Sequence, residues 1–514
     1  MYDFTEFSLI DELDLGFYDP GGVNSYDAIV IGTGFGGLGA AMGLVESGAR
    51  IAVLEALKYP GGCASTFTRS GYSFEAGATL FSGFGEGQLM RRWIDKYDLP
   101  VDIDWLNPLI ELRTPDWNLE VSSNREELVE NFSRLPGASK PKLARFFEKQ
   151  KNVADTLWAL FDDPYLLPPI TARSLMTHVA RSPKYLPLLG LMGKSMQKVV
   201  QQSGLQNFEP LRVYLDALCQ ITVQVPSDNA EAPFAMAATD YCFRGTGHVA
   251  GGIGVLTTAL CDHIARSGSD VMFSTRAKSL EYNDKCWTVQ TRHGPIRAPI
   301  VLANLLPQNM QQLLQTPSRD AVKTLDAGAK RVQKGWGAAM MYLAVEHDAI
   351  DSPSAHHYEL VANPNKPFIA GNHIFCSVSD IRETHRAPDG QRTMTVSTHV
   401  PMSELLSYSD EEKGEYIESI QLRMKETLAS LMPSVVEKTK FEMTASPRTF
   451  ERFTRRAFGY VGGIPRRVGL QNYQGMFPRA LMNGLYTVGD SGFPGQSTLA
   501  TAIGGLRTAE AAMS

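Results

Sequence analysis

The residues Tyr26-Asp27-Ala28-Ile29-Val30-Ile31-Gly32-Thr33-Gly34-Phe35-Gly36-Gly37 decide the fold of this 514-residue chain. The apolar run 28–31 predicts a buried strand, and the glycines that follow predict a tight turn into a helix over residues 36–47. In this G-x-G-x-x-G pattern, Gly32 permits the turn, Gly34 lets the backbone approach a pyrophosphate, and Gly37 lets the helix pack on the strand. The unit therefore predicts a cofactor that contains ADP, bound at the helix N-terminus.

A second predicted strand, over residues 50–54, ends at an acidic residue. Glu55 lies 18 residues beyond Gly37, where a carboxylate can accept hydrogen bonds from the 2′-hydroxyl of an unphosphorylated ribose. The strand, helix, second strand and carboxylate together make the glycine pattern specific, because a glycine-rich turn alone predicts little.

Three features favour FAD over NAD. The loop Pro60-Gly61-Gly62 can fold back over a phosphate, and Gly489-Asp490 ends a predicted strand over residues 485–488. Asp490 can bind the ribitol hydroxyls of a flavin, which NAD lacks. A predicted helix over residues 498–513, preceded by Gln496 and Ser497, directs its positive end at the N1/O2 edge of a flavin.

The residues predicted to contact FAD belong to the first turn, the end of the second strand, the loop after it, and the region around residue 490. They are Gly32, Gly34, Phe35, Gly36, Gly37, Glu55, Ala56, Gly61, Gly62, Cys63, Ala78, Thr79, Gly489, Asp490, Gln496, Ser497 and Thr498.

Composition excludes several other classes of protein. Lys and Arg number 49 against 55 Asp and Glu, so the net charge of −6 gives no basic field for nucleic acid. The six cysteines never approach C-x-x-C spacing, which argues against a disulfide scaffold or a zinc ribbon, and no metal site is predicted. No Lys or Arg precedes Arg50, so residues 1–24 predict an acidic extension rather than a targeting signal, in a cytoplasmic protein.

Three segments resemble the phytoene desaturase and carotenoid isomerase family, which includes retinol saturases and belongs to the amine-oxidase-like flavoproteins. They cover residues 26–85 (with PGGCASTF and GYSFEAGATLFSGFG), 245–307 (GGIGVLTTAL to VLANLLP) and 449–510 (TFERFTRRAFGYVGGI and GLYTVGDSGFPGQSTLATAIGGLRTAE). The resemblance implies an α/β fold in which a Rossmann-like FAD-binding domain is interleaved with a mixed α+β substrate domain. The acidic extension departs from the family pattern, in which many members start almost at the first strand.

The predicted domains are discontinuous. Residues 25–105, 240–305 and 480–514 form the FAD-binding domain, and residues 106–239 and 306–479 form the substrate domain, which faces a membrane.

By resemblance, the chain is an FAD-dependent isomerase or desaturase of a long, hydrophobic polyene or isoprenoid. Quinone or oxygen serves as the electron acceptor in the desaturase version. A retinol saturase-like reductase, a flavin amine oxidase-like enzyme and a non-catalytic polyene-binding flavoprotein are the alternatives. Glu75, in the loop that runs beside the isoalloxazine in this family, and Arg244 and His248, which flank Gly245-Thr246-Gly247, are the candidate catalytic residues; each also has a structural interpretation.

Residues 164–193 combine apolar residues with basic ones, among them Arg173, Arg181 and Lys184. This pattern suits shallow insertion into an anionic membrane surface and equally suits an ordinary helical core. The sequence predicts peripheral membrane contact as one of these two interpretations.

Overall fold

The structure, a computed structural model, describes residues 26–77, 79–473 and 475–514. The predicted acidic extension 1–24 and the predicted cofactor contact Ala78 lie outside the described residues.

The strands, in chain order, are β1 (Ala28–Ile31), β2 (Ile51–Leu54), β3 (Thr66–Arg69), β4 (Tyr72–Glu75), β5 (Ile103–Asp104), β6 (Ile110–Arg113), β7 (Asn118–Val121), β8 (His248–Val249), β9 (Asp270–Met272), β10 (Ser279–Asn283), β11 (Cys286–Thr291), β12 (Gly294–Ala298), β13 (Ile300–Ala303), β14 (Trp336–Glu346), β15 (His356–Val361), β16 (His373–Val378), β17 (Gln391–Pro401), β18 (Thr439–Ala445) and β19 (Leu485–Thr487).

The α-helices are α1 (Phe35–Glu46), α2 (Leu89–Lys96), α3 (Arg125–Ser133), α4 (Lys140–Asp162), α5 (Ala172–Leu189), α6 (Met196–Gln202), α7 (Glu209–Thr222), α8 (Ala232–Ala238), α9 (Ile253–Arg266), α10 (Pro307–Leu313), α11 (Arg319–Val332), α12 (Met402–Leu405), α13 (Asp410–Leu431), α14 (Pro433–Glu437), α15 (Pro447–Thr454) and α16 (Thr498–Met513).

A five-stranded parallel sheet in the order β19-β13-β1-β2-β9 forms the first layer. All four residues of β1 and of β2 are buried, which explains their uninterrupted apolar sequence, since helices cover both faces of such a sheet. The strands come from three distant parts of the chain. This arrangement confirms the predicted α/β class with a Rossmann-like sheet.

Helices α1 and α16 cross at glycine contacts. A Cβ at Gly39 would lie 2.1 Å from the carbonyl oxygen of Ala502, and a Cβ at Gly505 would lie 2.0 Å from that of Gly36. Only glycine lets the two backbones approach so closely. The contact fixes the last helix of the chain against the helix that follows the first turn.

The second layer is a seven-stranded mixed sheet in the order β18-β14-β17-β16-β15-β6-β7. Strand β6 pairs in parallel with β15, so residue Glu111 lies opposite Tyr358. A separate apolar core lies against this sheet. Helices α3 to α8 form a helical layer, and most of them contribute buried residues to the larger core of the molecule. The resulting mixed α+β region matches the predicted architecture.

Helix α5 contains two prolines. Its two internal prolines, Pro183 and Pro187, would normally end or kink a helix, yet the helix continues through both. A capping box in which Thr171 and Ser174 bond each other's backbone amides stabilises its start. In the described part of the chain, no helix is both long enough and apolar enough to cross a membrane.

Stability should fall in acid because of a buried histidine. His356 is 6% exposed, and burial, only partly opposed by Glu111, lowers its pKa to about 4. The unfolded chain, in which the pKa is near 6.5, therefore binds a proton that the folded protein does not. The contribution is fully present above pH 6.5 and is lost as the pH falls toward 4.

Urea unfolding measures this effect. Between pH 7.5 and pH 5, we expect His356 to account for about 2 kcal/mol of the loss in unfolding free energy. The His356→Phe variant should therefore show a smaller drop over the same interval. Equal drops in the two proteins would contradict the assignment.

Candidate functional site

A single cavity of about 590 Å³ connects the two layers. It begins at the carboxyl ends of β1 and β2, in the crevice where α/β sheets bind ligands, and continues between the helical layer and the seven-stranded sheet. One continuous space is therefore lined both by the glycine turn and by residues distant from it in sequence.

The glycine turn presents backbone rather than side chains to this cavity. Gly32 has a φ of +90°, which favours glycine, and a Cβ at Gly34 would lie 2.6 Å from Asn304 Nδ2. A Cβ at Gly37 would lie 1.8 Å from the carbonyl oxygen of Gly32, so this glycine fixes the helix on the strand. Gly32 and Gly37 thus have the turn and packing geometry that the sequence predicts, and the approach of a pyrophosphate to Gly34 stays a prediction.

Glu55 lies at the end of β2 and lines the cavity. One carboxylate oxygen accepts hydrogen bonds from the backbone amide of Thr33 at 2.9 Å and from its hydroxyl, and the other accepts from the amide of Leu57 at 2.8 Å. A carboxylate has about four acceptor positions. The oxygen that bonds Leu57 therefore retains capacity for a ribose hydroxyl.

Asp490, which is more than 400 residues after Glu55 in the sequence, lines the same cavity. Its Oδ2 lies 2.8 Å from Nη2 of Arg456, and a Cβ at Gly463 would lie 2.2 Å from its carbonyl oxygen. Burial lowers the pKa of Arg456, but Asp490 and Cys63 outweigh it and the net pKa is raised. The aspartate is therefore held beside a permanent positive charge.

The loop between Asp490 and α16 is held by Arg466. This buried guanidinium donates to the carbonyl oxygens of Gly492 at 3.0 Å and Pro494 at 2.8 Å. Helix α16 then begins with the hydroxyl of Ser497 accepting from the amide of Ala500 at 3.0 Å. The amide-rich start of the helix is thereby directed at the cavity.

The arrangement fits a dinucleotide-type cofactor. The glycine turn lines the cavity with backbone, and the carboxylates of Glu55 and Asp490 and the first turn of α16 line the same cavity. Glycine is required where these segments touch, because a Cβ at Gly36 would lie 2.7 Å from the Cα of Gly489.

The structure brings most of the predicted cofactor residues into one cavity wall. Gly37 and Gly489 are exceptions, because both pack against backbone just behind the wall. The residues in the wall are Gly32, Gly34, Phe35, Gly36, Glu55, Ala56, Gly61, Gly62, Cys63, Thr79, Asp490, Gln496, Ser497 and Thr498.

Cys63 is suited to packing rather than redox chemistry. Burial raises the pKa of its thiol, and Arg456 only partly opposes this effect. A protonated thiol is a poor nucleophile.

Within the described chain, the three candidate catalytic residues lie outside the cavity wall. Glu75 accepts from the amide of Ile253 at 3.1 Å, at the start of α9, and from the Thr66 hydroxyl at 3.1 Å. Arg244 pairs with Asp240 and Asp155 at 2.6 and 2.5 Å.

His248 is 4% exposed and bonds Glu383 at 3.0 Å. All three candidates thus have structural partners. A catalytic role for Glu75, Arg244 and His248 stays a prediction that the cavity geometry does not favour.

Sequence reasoning missed Asn304. It follows β13 directly, its amide donates to the carbonyl oxygen of Ile31 at 2.9 Å, and its side chain borders Gly32, Gly34 and Gly36. A polar residue at the carboxyl end of an apolar strand was the available signal, because parallel strands end at the same edge of a sheet.

The far wall of the cavity is one face of the seven-stranded sheet. Ala338 and Met340 lie two residues apart on β14. They pair with His399 and Ser397 of β17, respectively, and all four residues line the cavity. Phe375 of β16 lies opposite Ser397. Since alternate residues of a strand share a face, this surface is set by register.

The roof of the cavity is helical and largely apolar. Residues of α4, the end of α7, and α8 contribute to it, namely Leu157, Trp158, Leu160, Phe161, Ile221, Thr222, Pro233, Phe234, Ala237 and Ala238. Such a space suits a long apolar molecule lying beside the glycine turn.

Similarity to known proteins extends over most of the chain. The sequence family described as an NAD(P)-binding Rossmann-like domain matches residues 30–97. The prolycopene isomerase 1 of an Oncidium hybrid cultivar is 27% identical, over 94% of this chain and 83% of the relative. A neurosporene-forming phytoene desaturase from Cereibacter sphaeroides is 23% identical over 82% of each chain, and the human all-trans-retinol 13,14-reductase is 23% identical over 65% of this chain and 56% of the relative.

Solved structures share the fold. An oxidoreductase from Methanosarcina mazei superposes with a TM-score of 0.65 at 18% identity, over 94% of this chain and 99% of that one. A putrescine oxidase variant gives a TM-score of 0.63 at 14% identity, over 95% and 99%.

Proposed function

We propose that this chain is an FAD-dependent isomerase or desaturase of a long polyene. The premise is that it belongs, as its sequence predicts, to the oxidoreductase family that includes the prolycopene isomerases, phytoene desaturases and retinol reductases. The observation that carries the proposal is the single cavity, in which the dinucleotide groove opens into an apolar space. Bound FAD would supply reversible two-electron chemistry, with quinone or oxygen as the acceptor in a desaturation.

The residues of this chain would position both molecules. Glu55 would bind the ribose, Asp490 the ribitol, and the start of α16 would stabilise negative charge at the flavin edge. The helical roof would exclude water from the polyene. The similarity to prolycopene isomerases over most of the chain favours geometric isomerisation over desaturation.

Anaerobic incubation distinguishes the activities. The purified protein, with its flavin spectrum recorded, is mixed with cis and all-trans polyenes in the oxidised and in the reduced form. Geometric change without net redox supports isomerisation, product formation that needs an acceptor supports desaturation, and consumption of reductant with loss of a double bond supports saturation. A protein that cannot be loaded with FAD would overturn the proposal.

We also propose that the protein is cytoplasmic and collects its substrate at a membrane surface through α5. Apolar side chains of this helix are unusually exposed, including Met176 at 68% and Val179 at 67%. The exposed Arg173 and Lys184 lie on the same helix and would attract anionic lipid.

Arg507 of α16 anchors the segment that leads into α5. This buried guanidinium donates to the carbonyl oxygen of Leu167 at 2.9 Å and to that of Pro169 at 2.9 Å. The exposed helix is thereby tied to the helix whose start faces the cavity.

Vesicle binding tests this surface. The Met176→Glu/Val179→Glu variant should bind anionic phospholipid vesicles about a hundredfold more weakly, because it loses about 3 kcal/mol of apolar insertion. The control is Leu422→Glu on α13, which changes a side chain that is 59% exposed elsewhere. Equal vesicle binding by both variants in a sedimentation assay would contradict the proposal.

A further inference from the structure

The sheet wall of the cavity carries two histidines. Ser397 of β17 pairs with Phe375 of β16 in antiparallel register. His399 follows Ser397 by two residues and His373 precedes Phe375 by two, so both lie toward the same end of the strand pair, and both line the cavity. Their neighbours on this wall include Met340, Ala338 and Phe375, which are apolar. The imidazoles therefore form a confined polar patch in a mainly apolar space.

A buried carboxylate holds one of these rings. Nε2 of His373 hydrogen-bonds Oε2 of Glu359, which is fully buried on the neighbouring strand β15. The hydroxyl of Thr398 donates to the carbonyl oxygen of His373 at 2.8 Å, which fixes the backbone as well. A side chain fixed this firmly is suited to orienting a ligand.

The second ring has no hydrogen-bond partner among the residues that the structure describes. His399 contacts the Trp336 ring edge-on, with 6.0 Å between centroids, and the residue lines the cavity. Burial, and secondarily His373, lowers the pKa of His399 to about 3. At neutral pH it is an uncharged imidazole that offers one N–H and one lone pair.

A pure hydrocarbon cannot satisfy this patch. Covering a polar group without giving it a hydrogen bond weakens binding, because the group loses its contact with water and gains none in return. Since His399 is uncharged, the partner that it fits is neutral, and an oxygen that can accept from the N–H is sufficient.

We propose that His399, beside the Glu359-supported His373, binds a neutral oxygen function at one end of the substrate, so that the enzyme acts on oxygenated polyenes carrying a hydroxyl or carbonyl group. This inference rests on the proposed polyene function. The substrate class narrows from polyenes in general to oxygenated polyenes. The residues that distinguish these from pure hydrocarbons lie in the sheet wall and not in the cofactor groove.

A matched ligand series tests the proposal. The FAD-loaded protein is titrated with all-trans-retinol, all-trans-retinal and the oxygen-free parent hydrocarbon, and binding is followed by quenching of tryptophan fluorescence. We expect the oxygenated ligands to bind roughly tenfold more tightly than the hydrocarbon.

Variants then locate the effect. His399→Phe should abolish the preference while leaving hydrocarbon binding unchanged or stronger, and His399→Gln, which keeps hydrogen-bonding capacity, should retain part of it. His356→Phe is the control, because that ring contacts Tyr358 and Glu111 and does not line the cavity.

The possible failures are distinguishable. Equal affinity of wild-type protein for all three ligands, or an unchanged preference in His399→Phe, overturns this inference and leaves the polyene function standing. If His399→Phe does not fold, the wild-type ligand series and His399→Gln decide the question. Absence of binding by all three ligands overturns the proposed function itself, and this inference with it.

Discussion

Replacing Gly37 with alanine is expected to remove flavin binding and to lower the free energy of unfolding by on the order of 3 kcal/mol. The new Cβ would lie 1.8 Å from the carbonyl oxygen of Gly32 and 3.4 Å from the Cβ of Asn304. Neither a backbone carbonyl nor the strand behind it can move without displacing the turn. Helix α1 would have to separate from β1, and the groove would lose its shape.

The matched control is Gly414→Ala. Gly414 lies in α13, is exposed, and has no atom within 4 Å of an added Cβ, so alanine should stabilise the helix by roughly 0.5–1 kcal/mol. Flavin absorbance per protein and urea unfolding measure both variants. Normal flavin content in Gly37→Ala would mean that this position is not part of the cofactor framework.

Asp490→Ala is expected to weaken FAD binding about a hundredfold, equivalent to about 3 kcal/mol, because a charged acceptor for the ribitol hydroxyls is lost. Retention of flavin through gel filtration measures the effect. A complication is that Arg456 loses its carboxylate partner at the same time. An unpaired, poorly solvated guanidinium would disturb the site without any role for Asp490 in binding.

A double variant separates these effects. In Arg456→Met/Asp490→Ala, neither charge remains, so a purely structural role for Asp490 predicts that flavin binding recovers. A direct contact predicts that binding stays weak. Full flavin retention by the single Asp490→Ala variant would exclude the contact.

Local patterns explain which parts of the fold could be predicted. The turn at Gly32, the helix after it and the strand ending at Leu54 lie within 30 residues, and their periodicity and glycines determine them with little outside help. The final helix was predicted over 498–513, with the bounds it has in the structure. Both segments line the proposed cofactor groove with glycines and backbone, and the need for a close backbone approach leaves a visible mark in the sequence.

The end of the cavity lined by β16 and β17 left no comparable mark in the sequence. His373 and His399 meet because β16 and β17 pair in one register, and a shift of one residue would turn both away from the cavity. Strand pairing between distant segments, such as β6 with β15, follows from the whole packing arrangement and not from local composition. Asn304 left one local signal, a polar residue at the end of β13, but its contact with Gly34 and Gly36 could not be predicted because these glycines are far away in sequence.

The crossing of α1 and α16 has a consequence for biosynthesis. Helix α1 buries most of its residues, yet the helix that covers it at Gly39 is made more than 450 residues later. At ribosomal rates of about 5–20 residues per second, α1 waits roughly 20 seconds to a minute and a half for its partner. The nascent chain thus carries the α16-facing side of this apolar helix uncovered while more than 450 residues are made, and the cofactor groove closes only after translation of the region around residue 500. We therefore expect flavin loading to follow the synthesis of α16, and nascent chains to depend on chaperones that shield apolar surface.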